Sequence, residues 1–224
     1  KYLEKCFPII CNEVLIGVGN MLINVVLGRQ TEQAIAAVAV FRTMEGLIIA
    51  FFSGFSNAAS VLVGKEVGAG NHEAAFQRAK RLVYLCSGII GVACLTLILV
   101  HDPLLHAMGL SGESYRIGTA MLVTYSVAAL IRMGNWVQND TYRSAGDAAF
   151  GSMLEITFMY LMVLPFVYLS NFHAPFLLVF AFCYVDEPIR YIIMQRHLYS
   201  GKWIRPVSVP GLAALGEFRK AHGI

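Results

Sequence analysis

Long runs of apolar residues, separated by short polar stretches, dominate the chain. A helix needs about 20 mostly apolar residues to cross a bilayer. Six runs reach that length, near residues 6–28, 34–63, 82–100, 117–139, 151–170 and 174–195. They are long and continuous, whereas a transmembrane barrel needs short alternating strands. The pattern predicts an all-α integral membrane protein, with a six-helix transmembrane bundle over residues 1–200 and a cytoplasmic tail over 201–224.

The polar stretches predict how the spans end. The second run is too long for one straight span, so we expect its helix to tilt or to continue beyond the bilayer. Residues 72–81 then carry apolar side chains at helical spacing, which favours a segment lying along the membrane surface. In the last span Pro188 has no amide hydrogen, so the carbonyl of Tyr184 loses its helical partner and a kink is expected.

The distribution of Lys and Arg predicts the orientation. With six alternating spans, twelve of the seventeen basic residues fall on the side that holds both chain ends. The other side holds only Arg29 and Arg116, and the remaining three lie inside spans. Cytoplasmic loops carry the excess of Lys and Arg. We therefore expect a multi-pass protein of the cell membrane with both termini in the cytoplasm.

Composition supports a membrane protein. Of 224 residues, 57% are hydrophobic and 14% are charged, and the mean hydropathy is +0.63. Soluble domains carry about 25% charged residues, so a soluble globule is excluded, as is a disordered chain. The net charge of +3, without a basic patch, excludes nucleic-acid binding. The chain begins with Lys1, and we expect it to be a piece of a longer protein.

The cysteines and histidines predict no cofactor chemistry. Five cysteines lie in apolar stretches without the spacing of a disulfide framework or a metal site, namely Cys6, Cys11, Cys86, Cys94 and Cys183. The histidines also lack the spacing of metal ligands. We expect no bound cofactor and no metal site built from these residues.

Several charged residues fall inside the predicted spans, where an unpaired charge costs about 3 kcal/mol or more. Glu155, in the first turns of its span, is interpreted as structural because a carboxylate is favourable near a helix N-terminus. Spacings of three or four residues put other opposite charges on one helix face. These candidate buried ion pairs are Arg42 with Glu45, and Arg190 with Asp186 and Glu187.

The first span differs, because Glu13 has no basic residue three or four positions away. Glu13, Gly17, Asn20 and Asn24 share one helix face, which is therefore polar through the bilayer. One interpretation is that small and amide residues hold neighbouring helices together. The other is that Glu13 lines a cavity and carries a proton or an ion.

The fourth span has a matching polar face that includes Arg132, which has no acidic residue three or four positions away. We hypothesise that Arg132 pairs with Glu13 across helices. The other members of this face are Tyr125, Asn135 and Asn139, with Asp140 near the membrane edge. The candidate residues of an ion-coupling or substrate cavity are therefore Glu13, Asn20, Asn24, Arg132, Asn135 and Asp140.

Three stretches together resemble one family. Residues 58–71 read Ala-Ala-Ser-Val-Leu-Val-Gly-Lys-Glu-Val-Gly-Ala-Gly-Asn, residues 142–147 read Tyr-Arg-Ser-Ala-Gly-Asp, and residues 201–205 read Gly-Lys-Trp-Ile-Arg. The stretches Phe-Pro-Ile-Ile-Cys-Asn-Glu at 7–13 and Thr-Met-Glu-Gly at 43–46 add support. In this order they resemble the C-terminal half of a prokaryotic multidrug and toxic compound extrusion (MATE) transporter.

That resemblance implies twelve helices in two six-helix bundles around a central cavity, with this chain lacking its N-terminal partner bundle. It implies a secondary antiporter, not an enzyme, that exports drugs, organic cations or metabolites against a proton or sodium gradient. The family's acidic residue on the first helix of this bundle matches Glu13, where a sodium ion could bind. The sodium-coupled branch also has an acid on the fourth helix, where this chain has Arg132, and this departure favours protons or a branch with an internal Glu–Arg pair.

Three alternatives remain from the sequence. A lipid-linked sugar flippase has a similar helix layout, although its cavity is usually more cationic than the five acids and three arginines in these spans. A membrane-embedded transferase needs clustered Asp residues to hold Mg²⁺ and phosphates, and the sequence has no such cluster. A non-transporting subunit is the third. The sequence also lacks a Gly-rich phosphate loop, so ATP is not implied.

Overall fold

The structure, a computed structural model, describes residues 2–223, with side chains from Glu13 onward. Within that range the elements are helices joined by short turns, and no strand occurs. A π-helical turn, Met159–Val163, joins α6 to α7. The helices are α1 (Tyr2–Leu27), α2 (Glu32–Ala69), α3 (His72–Leu99), α4 (His101–Ala107), α5 (Gly112–Ser144), α6 (Ala148–Phe158), α7 (Leu164–Ser170), α8 (Phe176–Phe182), α9 (Glu187–Ser200) and α10 (Val209–His222).

Six helical passes form the bundle. Among the described residues, α2, α3, α5 and the continuous stretch Ala148–Ser170 are long and apolar enough to cross a membrane. The first pass is α1, which is apolar over Glu13–Leu27. The sixth is made of α8 and α9, which a short turn separates. The architecture is an all-helical membrane bundle, as the sequence predicts.

The interrupted passes have local causes. The kink expected at Pro188 is observed, because α8 ends at Phe182 and α9 begins at Glu187. The carbonyl of Tyr184 accepts a hydrogen bond from the Glu187 amide at 3.2 Å. In the fifth pass the helix widens into the π-helical turn just before Pro165, which has no amide hydrogen to donate.

The separate surface segment expected over residues 72–81 was wrong. These residues are the first turns of α3, which runs without a break from His72 to Leu99. Ala75, Phe76 and Ala79 are buried in the protein core instead of facing lipid headgroups. Apolar side chains at this spacing can be buried against lipid headgroups or against protein, and here α10 packs against them.

Three segments meet at one end of the bundle. The turns after α2 and after α5 are held by the C-terminal segment, residues 201–223, which we call the strap. Its Arg205 amide donates to the carbonyl of Ala145 at 2.9 Å, and the Ser208 hydroxyl donates to the carbonyl of Gly68 at 2.6 Å. Gly146 has φ +96°, and a Cβ there would lie 2.0 Å from the Arg205 carbonyl oxygen, so only glycine fits.

The core is centred on α5, which packs against α2, α3, α6 and α9. Its Tyr125, Met133 and Tyr142 are fully buried, and Trp203 of the strap packs against Tyr142. The thiols of the described cysteines are free, at Cys86, Cys94 and Cys183. The side chains of Cys6, Cys11, Lys1 and Lys5 lie outside the described part of the chain.

Candidate functional site

A layer of charged side chains crosses the interior of the bundle. It joins α2, α5, α6 and α9, and its members touch one another across distances of at most 3.9 Å. We call it the ion network; its members are Arg42, Glu45, Arg132, Glu155, Asp186, Glu187 and Arg190.

Glu45 is the most completely satisfied carboxylate of the network. One oxygen accepts from Nη1 of Arg42 on the same helix, as the sequence predicts. The other accepts from Nη1 of Arg132 at 2.7 Å and from the Tyr184 hydroxyl at 3.4 Å. Glu45 is buried, so two guanidinium groups hold its charge in the interior.

Arg190 contacts the other three carboxylates of the network. Its Nη1 lies 3.0 Å from Asp186 and 3.9 Å from Glu187, and its Nη2 lies 3.9 Å from Glu155. The predicted local pairs are therefore present, with Glu155 as an additional partner from α6. Glu187 gains further support from the Asn135 amide, which donates to it at 2.7 Å.

The expected pairing of Glu13 with Arg132 was wrong. Oε1 of Glu13 contacts Nη2 of Arg143 at 3.0 Å, whereas Arg132 contacts Glu45. Arg132 and Arg143 are eleven residues apart on α5, which separates them by about 16 Å along the helix. α1 packs against α6 and α7, at a depth that brings Glu13 level with Arg143.

The polar face of α1 contacts the site at several depths. Asn24 accepts from Nη2 of Arg42 at 2.8 Å. Asn20 lines the interior next to Arg132. On the far side of the site, Asp140 accepts from the Ser56 hydroxyl at 2.6 Å. The structure thus brings the predicted residues of α1 and α5 to one region, where Asn24 is bound to Arg42 and Asp140 to Ser56.

Two adjoining cavities lie in this region. The larger, of about 290 Å³, is lined by Glu13, Ile16, Asn20, Ile49, Arg132, Trp136, Asn139, Asp140, Arg143, Glu155, Glu187 and Arg190. The smaller, of about 70 Å³, lies farther from the strap and is lined by Asn20, Ile23, Arg42, Arg132, Glu155, Met159, Val163, Cys183, Tyr184, Asp186, Glu187 and Arg190. Carboxylates outnumber guanidinium groups in the lining of the larger cavity.

A family model matches most of the chain. The family model described as MatE matches residues 8–169, which is well over half of the chain. The chain belongs to the MatE family. Among curated relatives, the uncharacterized transporter YisQ of Bacillus subtilis (strain 168) is 22% identical over 207 residues, covering 92% of this chain and 46% of that protein.

Solved structures show the same fold. An outward-facing multidrug resistance MATE transporter of the MOP superfamily matches with a TM-score of 0.78 and 18% identity, covering 96% of this chain and 49% of that one. A MOP superfamily transporter from Pyrococcus furiosus Vc1, described as having reversed polarity in its binding pocket, matches with a TM-score of 0.79 and 18% identity at the same coverage. This MatE chain spans about half the length of the relatives it matches.

Sequence reasoning missed three residues of the site in this MatE chain. The sequence analysis interprets Glu155 as structural and does not place Arg143 or Trp136 in the site. Arg143 lies four residues after Asn139, so continuing the polar face of α5 by one more turn finds it. Glu155 could not be found this way, because its partners lie on other helices.

Proposed function

We propose that this chain is the C-terminal half of a proton-driven antiporter that exports organic cations or amphipathic cationic metabolites. The single observation that carries the proposal is the excess of carboxylates around a cavity inside an apolar bundle. Four acidic residues line the larger cavity, Glu13, Asp140, Glu155 and Glu187, against three arginines. Ionisable residues within membrane-spanning segments mark substrate and ion pathways.

Competition for the same carboxylates supplies the coupling. A proton and an organic cation both neutralise a surplus negative charge, so binding of one disfavours binding of the other. The aromatic ring of Trp136 in the cavity wall adds a face on which a cation binds favourably. A gradient drives export when the proton binds one conformation better than the other.

The same charge count weighs against a lipid-linked sugar flippase. A lipid phosphate needs uncommitted guanidinium groups. Here Arg132 is held by Glu45, and Arg143 contacts both Glu13 and the Ser152 hydroxyl. The same contacts make a sodium ion at Glu13 compete with the guanidinium of Arg143, so proton coupling is the version we propose.

The N-terminal bundle is proposed to complete the cavity. The relatives are about twice as long as this chain. Large apolar side chains on the described part of α1 are exposed, including Val14, Met21 and Leu22. In the proposed assembly a second six-helix bundle and the bilayer cover them. Both chain ends are proposed to face the cytoplasm of the cell that carries the protein in its plasma membrane.

Transport by the full-length protein tests this proposal. The protein, including its upstream half, is purified and placed in liposomes loaded with ethidium. Efflux is then followed under an imposed pH gradient, an equal sodium gradient, or neither. We expect efflux under the pH gradient alone. Efflux driven only by sodium overturns proton coupling, and no acceleration by either gradient overturns antiport.

Two controls sharpen the result. Unlabelled tetraphenylphosphonium should compete with ethidium, whereas an undecaprenyl phosphate should not. Inhibition by the lipid phosphate alone would favour the flippase instead. Residues 1–224 alone should show no gradient-driven efflux, because half of the cavity wall is missing; robust efflux from them would indicate a working homodimer.

A further inference from the structure

Glu155 lies at the boundary between the two cavities. Both cavities are lined by Glu155, together with Asn20, Arg132, Glu187 and Arg190. The other lining residues separate by depth. On α1, for example, Glu13 lines only the larger cavity and Ile23, nearly three turns away, lines only the smaller one. The shared residues therefore form a partition across the bundle.

We propose that Glu155 is the carboxyl group that exchanges a proton across this partition, a role that rests on the proton-driven antiport proposed above. Its carboxylate takes a proton from water in one cavity, and the neutral acid returns the proton to water in the other. No other bond forms or breaks in this step. The role belongs to a residue of α6, distinct from the acidic residue Glu13 on α1.

Of the two acids in the partition, Glu155 is the less neutralised. Glu187 is 5% exposed, lies within 3.9 Å of both Arg132 and Arg190, and accepts from Asn135 at 2.7 Å. The nearest guanidinium nitrogen to Glu155 is 3.9 Å away on Arg190, and the Glu155 side chain is 23% exposed. Glu187 is therefore the more strongly paired acid, while Glu155 has both weaker pairing and access to the cavities.

The ion network also has one carboxylate too many. It contains the carboxylates of Glu45, Glu155, Asp186 and Glu187 but the guanidinium groups of only Arg42, Arg132 and Arg190. With Glu155 ionised the network carries a surplus negative charge, and with Glu155 protonated it is balanced. In an apolar bundle a balanced network is the cheaper state to bury.

The neighbouring helices do not remove this surplus. Arg143 is engaged by Glu13 at 3.0 Å, and Arg132 by Glu45 at 2.7 Å. The charged groups that line the two cavities from the segments around α6 are Glu13 on α1, Arg132, Asp140 and Arg143 on α5, and Asp186, Glu187 and Arg190 at the start of α9.

Asn139 is suited to both protonation states. Its Nδ2 donates to Oε2 of Glu155 at 3.4 Å, which fits the carboxylate. Its Oδ1 is buried and has no hydrogen-bond donor among the described residues. Rotation of the amide would bring that oxygen to the acid, where it accepts the O–H of protonated Glu155. Gly151 leaves the space for this side chain, since a Cβ there would lie 2.1 Å from Oδ1 of Asn139.

The helix that carries Glu155 is followed by a π-helical turn. One turn after Glu155 the helix widens at Met159, which lines the smaller cavity. π-helical turns of this kind are frequent at functional sites. Met159 is in close contact with Gly19 of α1, where a Cβ would overlap its sulfur. Met159 therefore links the pass that carries Glu155 to α1, the pass that carries Glu13.

Infrared difference spectroscopy on the full-length protein tests the assignment without relying on transport. The C=O stretching band of a protonated carboxyl group is followed as pH is lowered, for the parent, Glu155→Gln and Glu155→Asp. We expect the parent to show a titrating band that Glu155→Gln loses and that Glu155→Asp retains with a shifted midpoint. Glu66→Gln, an equally conservative change at an ion pair with Arg78 outside both cavities, is the matched control and should leave the band unchanged.

Transport measurements form the second arm. Ethidium efflux by Glu155→Gln should lose its pH dependence while the variant still binds ethidium, because glutamine mimics the protonated acid. A titrating band that is the same in Glu155→Gln and the parent overturns the role of Glu155. If that result comes with pH-driven efflux in the parent, antiport stands and its proton site lies elsewhere. A parent without pH-driven efflux overturns the proposed antiport instead.

Discussion

Glu45 and Arg132 lie 87 positions apart in the sequence, yet Nη1 of Arg132 donates to Oε1 of Glu45 at 2.7 Å. The contact joins α2 to α5 in the middle of the bundle. Since Arg42 holds the other oxygen, one buried carboxylate contacts two guanidinium groups on different helices.

Glu45→Gln should destabilise the protein, because it removes the buried carboxylate that Arg42 and Arg132 share. Breaking a buried ion pair from one side costs about 3–5 kcal/mol. The melting temperature of the full-length protein in detergent measures the loss. Glu66→Gln is the control, because its partner Arg78 is half exposed and such pairs are worth about 0–1 kcal/mol.

A double-mutant cycle separates this contact from general damage. Glu45→Gln combined with Arg132→Met should lose less stability than the two single changes added together, with a coupling of about 0.5–3 kcal/mol. Strict additivity would show that the two side chains do not interact in the protein.

Gly151→Ala should also destabilise, because its Cβ would lie 2.1 Å from Oδ1 of Asn139. Overfilling a packed interior costs about 1–3 kcal/mol. Adding Asn139→Ala should relieve the clash and recover part of the melting temperature. Gly88→Ala is the control, since nothing lies within 4 Å of a Cβ there. A larger loss from Gly88→Ala than from Gly151→Ala would contradict the geometry.

The bundle could be predicted from the sequence because its signals are local. Continuous apolar runs define the passes, Pro188 defines the kink, and the spacing of Arg42 and Glu45 defines an ion pair on one helix. Each needs only the period of a helix. The prediction that residues 72–81 lie along the membrane surface was wrong, because the spacing of apolar residues does not show whether they pack against lipid or against protein.

The ion network could be predicted only in part, because its cross-helix contacts depend on the relative depth of each helix. Glu13 contacts Arg143 instead of Arg132, because α1 places Glu13 at the depth of the C-terminal end of α5. Glu155 gains its importance from Arg190 and Asn139, which come from two other helices. The spacing of residues within one helix gives no information about how deep that helix lies relative to its neighbours.

Glu13→Gln should leave the fold intact but abolish most gradient-driven efflux. Its carboxylate is 56% exposed, and such ion pairs contribute about 0–1 kcal/mol. Glu13 lines the larger cavity and is proposed to take part in cation and proton binding there. Melting temperature and liposome efflux are measured on the same preparation. Efflux at the parent rate with unchanged pH dependence would leave Glu13 as a structural partner of Arg143.

Docking of α10 should depend on Phe218, which is 7% exposed and packs against His72 and Phe76. Phe218→Ala removes that anchor, at a cost of about 3–5 kcal/mol. Amide hydrogen exchange over residues 209–222 should therefore become much faster. Leu212→Ala, at an exposed position of the same helix, is the control and should change the exchange little.

The same helix should loosen in acid. Hydrogen bonds from Gln77 and His222 lower the pKa of Glu73 from its ordinary value of 4.5. A lowered folded-state pKa contributes stability above the ordinary value, and this is lost as pH falls through the folded-state pKa. Exchange in α10 should accelerate in that acidic range, and Glu73→Gln should weaken this response. Because Glu73 is exposed, salt should reduce the effect.

Cysteine labelling tests the orientation in a background without the native cysteines. Lys202→Cys, in the strap, and His173→Cys, in the turn between α7 and α8, are both exposed. A membrane-impermeant maleimide added outside intact cells should label only His173→Cys. Labelling of Lys202→Cys alone would reverse the orientation.

The strap has a consequence for biosynthesis. Residues 201–208 follow all six passes in the sequence, so the ribosome makes them after every pass has been translated. Until then, the carbonyl groups of Gly68 and Ala145 lack the donors that later bind them. The end of α2 and the turn after α5 are thus joined by a late event, and a chain released before Arg205 would contain all six passes without the hydrogen bonds that join these two segments.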